Sequence, residues 1–99
     1  MLNIQKTVEN NEASFTLEGE LDTITAPELE KALQQTLPGL TKLTLDFTGL
    51  DYISSAGLRV LLTAQKIMNK QGGMLVRNVN KDILEVFEIT GFSDVLTIE

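Results

Sequence analysis

Two adjacent hydroxyls, Ser54 and Ser55, stand just ahead of Ala56, Gly57, Leu58 and Arg59, where a helical pattern begins. A serine at a helix start can act as an N-cap, worth about 1 kcal/mol over alanine. It can equally accept a phosphoryl group, because the free N–H groups of a helix start stabilise an added anion. A phosphoserine there brings a charge of about −2 without melting the helix, which suits a reversible switch for a docking partner. Three aspartates, Asp22, Asp46 and Asp51, fall at or near strand ends and could converge. Paired carboxylates at a set separation hydrolyse glycosides, and carboxylates also bind Mg²⁺. The rest of the composition argues against catalysis. The chain has no Cys and no His, which removes thiolate nucleophiles, the Ser–His–Asp triad and the usual zinc ligands. Its 99 residues leave little room for a deep cleft, and aspartates at strand ends are common turn formers. Gly72-Gly73 lacks the spacing of a P-loop or dinucleotide-binding loop. No enzyme, cofactor or metal is expected.

The elements that must position these residues are legible from periodicity. Leu2, Ile4 and Val8 predict a strand, Asn10-Asn11-Glu12 a turn, and Ala13, Phe15 and Leu17 a second strand that ends at Gly19. Thr25 and Glu28 have capping-box spacing around Ala26-Pro27. Leu29, Ala32, Leu33 and Leu37 then recur at helical spacing, and Pro38-Gly39 stops that helix. Leu43, Leu45 and Phe47 alternate as a third strand. Leu58, Leu61, Leu62, Gln65 and Met68 form the stripe of a second helix, with Val60, Ala64 and Ile67 beside it, closed by Gly72-Gly73. Met74-Leu75-Val76 is a short strand. Asn80 caps a third helix carrying Ile83, Leu84, Val86, Phe87 and Ile89, which ends at Gly91; Val95, Leu96 and Ile98 predict a last strand. The order is β-β-α-β-α-β-α-β in one domain over residues 1–99. Strands separated by helices pair in parallel through right-handed crossovers. The expected class is α/β: a mixed sheet with an N-terminal antiparallel hairpin and helices packed against it.

Two segments break local rules and are candidates for function. The first, Leu50 to Arg59, reads as the connection from the third strand to the second helix, outside a strand end where open α/β sheets place ligand sites. Gly57 falls in the first helical turn, where glycine costs about 1 kcal/mol against alanine. Close packing of helix on sheet would explain it. Arg59 opposes the helix dipole by about 0.3–1 kcal/mol, with Asp51 as the expected salt-bridge partner. Ile53 and Leu58 read as core, and Tyr52 as a partner contact. The second segment, Gly19-Glu20-Leu21-Asp22-Thr23, lies at another strand end, so Asp22 is expected near the serines.

Fourteen acidic against eight basic residues give a net charge of −6, and the lysines form no basic block. Direct nucleic-acid or anionic-membrane binding is therefore disfavoured. No apolar run has the length of a signal peptide or a membrane span. A cytoplasmic protein without membrane insertion is expected.

The element order, Gly19-Glu20-Leu21-Asp22 after the second strand, and Asp51-Tyr52-Ile53-Ser54-Ser55-Ala56-Gly57-Leu58-Arg59 before the second helix together resemble the STAS domain, most closely the free-standing anti-sigma factor antagonists of bacteria. The resemblance spans essentially the whole chain. It implies partner switching. The unphosphorylated antagonist binds an anti-sigma factor that is also a serine kinase, freeing a sigma factor; phosphorylation ends the binding and a serine phosphatase restores it. The phosphorylated serine, two positions before the motif glycine, maps to Ser55. The family's Asp after Gly-Glu-Leu maps to Asp22. Well-studied members often carry Asp directly before the phosphorylated serine; this chain has Ser54 there, which leaves Ser54 as an alternative acceptor. Asp51, Gly57, Leu58 and Arg59 border the site. A second role consistent with the resemblance is a non-catalytic STAS subunit of a transport complex or stress-signalling scaffold.

Overall fold

Asn10 and Asn11 form a two-residue turn closed by Glu9 opposite Glu12, with Asn10 at φ 56°, a left-handed conformation that asparagine tolerates. The computed structural model describes residues 1–99. The turn joins β1 (Leu2–Glu9) to β2 (Glu12–Leu21) as an antiparallel pair. The second strand does not end at Gly19. Gly19 takes φ +102°, and a Cβ there would lie 2.0 Å from the Met1 carbonyl oxygen. Glycine thus lets the strand pass a tight point and run on to Leu21.

β3 (Lys42–Ile53) pairs in parallel with β2 on one side and with β4 (Gly73–Arg77) on the other, so the sheet order is β1-β2-β3-β4. Its length corrects the expectation that Leu50 begins a connecting loop. Between Thr16 and Glu18, and again between Gly19 and Glu20, β3 carries one residue more than β2. Each such bulge resets the in–out alternation and lets pairing continue. Gly19 pairs with Leu50, Glu20 with Tyr52 and Leu21 with Ile53.

Three helices complete the fold: α1 (Ala26–Thr36), α2 (Ser55–Asn69) and α3 (Lys81–Thr90). They cover the face of the sheet that carries Phe15, Leu17, Leu43, Leu45, Phe47 and Val76, all fully buried. Leu29 of α1, Leu61 and Met68 of α2, and Ile83 and Phe87 of α3 fill the same core. Phe47 and Phe87 meet as a tilted pair with centroids 6.4 Å apart. The alternate residues Ser14, Thr16 and Thr44 stay partly open on the other face. No helix is long and apolar enough to cross a membrane.

The expected last strand is not formed. Gly91 ends α3 in the left-handed conformation, Phe92–Asp94 make a short 3₁₀ turn, and only Ile98 bridges to Val76. Val95 and Leu96 donate their N–H groups back to the Phe92 carbonyl and so cannot extend the sheet.

Asn80 is the predicted cap of α3, with Oδ1 accepting from the Ile83 N–H at 2.8 Å, and its Nδ2 also donates to the Leu50 carbonyl at 2.9 Å. One side chain thus starts a helix and ties it to β3. Asn80→Ala should cost about 1–2 kcal/mol in urea unfolding. Asn80→Asp should recover the part owed to the cap.

Candidate functional site

The site forms where the ends of β2 and β3 meet the start of α2. Leu21 and Ile53 are the last registered pair, and the Ser54 N–H donates to the Leu21 carbonyl at 2.8 Å. This bond clamps the strand–helix junction to the neighbouring strand. Ser54 is extended (φ −98°, ψ 175°), its Oγ faces the Gly57 N–H at 3.5 Å, and its carbonyl accepts from Leu58 at 3.0 Å. Ser54 is therefore the N-cap. Ser55 is the first helical residue and is exposed. The N–H groups of the first helical turn beyond the cap's reach, at Ser55 and Ala56, have no carbonyl within the helix to bond. The two serines are thus divided: Ser54 serves the fold, and Ser55 presents a hydroxyl at the positive end of a helix.

Gly57 is buried beneath them. A Cβ on it would lie 2.7 Å from Leu21 Cγ and 2.9 Å from Ile53 Cγ1. The close-packing explanation of this glycine holds. Leu58 and Ile53 are core residues, 7% and 5% exposed. Gly57 and Leu58 therefore act on the site from below, by holding α2 against the sheet.

Asp51 and Arg59 do not form the expected salt bridge. The ion pairs of the protein are the Met1 ammonium with Glu20, at 3.0 Å, and Arg77 with Glu99, at 2.7 Å. Because β3 continues to Ile53, Asp51 sits on the strand rather than on a loop that could fold over the helix start. Both side chains are exposed and unpaired.

Asp22 follows β2 and lies next to Leu21, so the Ser54–Leu21 bond brings its loop to the serine end of the sheet. Its carboxylate is already engaged. Oδ1 accepts from the Ile24 and Thr25 N–H groups, both at 2.9 Å. These bonds displace the expected capping box: Thr25 is itself in helical geometry and makes no side-chain cap. Its buried hydroxyl instead receives the Asp22 N–H and donates to the Glu20 carbonyl, each at 2.8 Å. Hydrogen bonds from Thr25 first, then Ile24, together with the Met1 ammonium, hold the Asp22 carboxyl below the usual aspartate range. A lowered folded-state value gives stability that is full above the unfolded aspartate value of about 3.9 and is lost as pH falls through the folded value. Asp22→Ala should therefore melt below wild type at pH 7, and the two melting temperatures should approach each other as pH falls below the ordinary aspartate range.

The third aspartate stands apart. Asp46 precedes Ile53 by seven strand positions, about 23 Å at 3.3 Å per residue. It bonds the Thr48 hydroxyl and the Asn78 amide, contacts that lower its pKa. The three aspartates do not converge, and no cluster of three His, Cys, Asp or Glu side chains could hold a metal. An apolar groove of about 380 Å³ between α1 and α2, lined by Leu33, Leu37, Val60, Ala64 and Ile67, includes none of the site residues.

Two exposed apolar side chains border the serine end. Tyr52, a sequence candidate, is 53% exposed on β3, and Ile24, in the Asp22 loop, is 81% exposed. Ile24 was not foreseen. Its only signal is an isoleucine among polar residues outside any periodic pattern.

A mixed sheet with a hydroxyl-bearing helix start clamped to a strand end defines a small α/β domain. The STAS domain model matches residues 3–99, and the chain belongs to the STAS domain family. BtrV of Bordetella bronchiseptica is 39% identical over 84 residues, covering 83% of this chain and 72% of that one. The anti-sigma-B factor antagonist of Bacillus subtilis is 29% identical over 98 residues, covering 98% and 90%. Among solved structures, an anti-sigma factor antagonist from Mycobacterium paratuberculosis superposes with a TM-score of 0.89 at 20% identity, covering 99% of this chain and 85% of that one. The Bacillus cell fate determinant SpoIIAA in its phosphorylated form superposes with a TM-score of 0.76 at 18% identity, covering 98% and 91%. At these identities the two structures attest the shared fold.

Proposed function

We propose that the chain is an anti-sigma factor antagonist controlled by phosphorylation of Ser55. In the unphosphorylated form it binds an anti-sigma factor of the serine-kinase type in the cytoplasm and so frees a sigma factor for transcription. The kinase transfers a phosphoryl group from ATP to Ser55, which ends the binding, and a serine phosphatase restores it. The domain itself carries out no catalysis and contacts no nucleic acid.

The observation that carries this reading is the division of labour between the serines. Ser54 is held by the cap and by its bond to Leu21, whereas Ser55 is exposed on the first turn of α2. A phosphate there meets free N–H groups and leaves the core untouched. The surrounding surface combines Ile24 and Tyr52 with Asp22 and Asp51, a face that can dock and can also be repelled. The name of the Bacillus subtilis relative and the phosphorylated SpoIIAA structure support it.

The test is phosphate mapping by mass spectrometry after incubation with ATP and the serine kinase encoded nearest to this gene. Phosphate is expected on Ser55. Ser55→Ala should abolish incorporation, and Ser54→Ala should keep it while lowering the melting temperature. Phosphate confined to Ser54, or none at all, overturns the assignment.

A further inference from the structure

Arg59 occupies a position where a cation is unfavourable, one turn inside the positive end of α2, and no carboxylate pairs with it. Packing does not require it either, since it is exposed while Leu58 and Val60 beside it are buried. What distinguishes it is its relation to Ser55. The two residues are four apart in one continuous helix and both are exposed. Such residues share a helix face with their Cβ atoms about 5–6 Å apart. Long helical side chains also lean toward the N-terminus, which aims the Arg59 stem back at Ser55.

Resting on the reading of Ser55 as the phosphorylated residue, we propose that Arg59 is an intramolecular clamp for the Ser55 phosphate. Its planar guanidinium can give two parallel N–H donors to phosphate oxygens, and the stem need only span one helical turn. The other charges near the serine are mostly of the wrong sign for this task. Asp51 comes from β3, and Glu20 and Asp22 come from the end of β2 and its loop; the Met1 ammonium is already bound to Glu20. Arg59, four residues along the same helix and without a carboxylate partner, is then placed to offset the acids around a new dianion. Its charge costs stability in the unmodified protein and adds stability in the phosphorylated one. The clamp thereby favours the fully ionised phosphate and holds it at the helix start, which sharpens the difference between the two states.

The test uses phosphoserine incorporated at position 55 during synthesis, so that no kinase is needed. Wild type, Arg59→Gln and Arg59→Lys are compared. In ³¹P titrations the second phosphate ionisation of Arg59→Gln should lie about half a pH unit above wild type, the scale of one unit charge at 5–6 Å in a water-like dielectric. Arg59→Lys should recover part of that shift. In thermal melts Arg59→Gln should match or exceed wild type when position 55 is an unmodified serine, and fall below it when position 55 is phosphoserine. Coincident ³¹P midpoints, or a melting shift of the same sign in both forms, overturn the clamp. A kinase that ignores Ser55 refutes the phosphorylation reading without moving these titrations. Coincident titrations refute the clamp without touching Ser55 as the target.

Discussion

Ser55→Asp is expected to bind the proposed kinase-type partner about 100-fold more weakly than wild type, a loss of about 2.8 kcal/mol, while Ser55→Ala binds constitutively. The effect arises at the interface and not in the fold. Ser55 is exposed at the first position of α2, where an acid interacts favourably with the helix dipole by about 0.3–1 kcal/mol. The Asp variant should therefore melt at or slightly above the wild-type temperature. Binding suffers because Ile24 and Tyr52 can anchor a partner only if the ground between them is desolvated. Asp22 and Asp51 neighbour these two residues along the chain, which carries a net charge of −6. An unpaired charge trapped in such a contact costs 2–5 kcal/mol. Aspartate brings about half the charge of phosphoserine, so the phosphorylated protein should bind more weakly still. Isothermal titration with the partner checks all three forms. A Ser55→Asp protein that binds as tightly as wild type would falsify the electrostatic switch.

The regular part of the architecture was legible because apolar residues alternate in β2 and β3 and recur at helical spacing in α1 and α2. The departures lie where local pattern and long-range pairing disagree. Beyond Asp46 the buried residues of β3 are Phe47, Leu50 and Ile53, spaced by three. That spacing looks unlike a strand because the two bulges shift the alternation, and bulges follow from the partner strand rather than from the segment itself. At the other end of the chain, Val95 and Ile98 favour a strand by composition, but the hydrogen bonds of the 3₁₀ turn hold the segment back.

The residues of the candidate site were visible, and their arrangement was not. Two serines before a helix announce a cap, but which of them caps depends on the bond from the Ser54 N–H to Leu21, more than thirty residues away in sequence. Thr25 and Glu28 match a capping box, yet Asp22 supplies the loop's acceptor first and turns the Thr25 hydroxyl inward. The expected Asp51–Arg59 pair failed for the same reason as the expected loop: Asp51 belongs to the strand. Its absence is what leaves Arg59 free.

Gly57→Val is expected to cost more than about 3 kcal/mol, a large share of the roughly 5–15 kcal/mol that stabilises a domain. A first methyl at position 57 meets Leu21 Cγ at 2.7 Å, Ile53 Cγ1 at 2.9 Å and Leu21 Cδ2 at 3.0 Å. Leu21 and Ile53 are 0% and 5% exposed, so neither can swing outward. Overpacking of this kind costs about 1–3 kcal/mol, and better helix propensity returns up to about 1 kcal/mol. Gly57→Ala should thus lose up to about 2 kcal/mol in urea unfolding. Valine adds two methyls to the same gap and a stiff χ1, so α2 must lift from the sheet. Lifting α2 stretches the Ser54–Leu21 bond that positions Ser55, so Gly57→Ala should weaken partner binding even where it remains folded. Leu21→Ala in the same chain opens space for the new methyl. The double variant should therefore lose less than the two single losses added together, a coupling that only direct contact produces. If the losses simply add, Gly57 is present for a reason other than the close approach of helix and sheet.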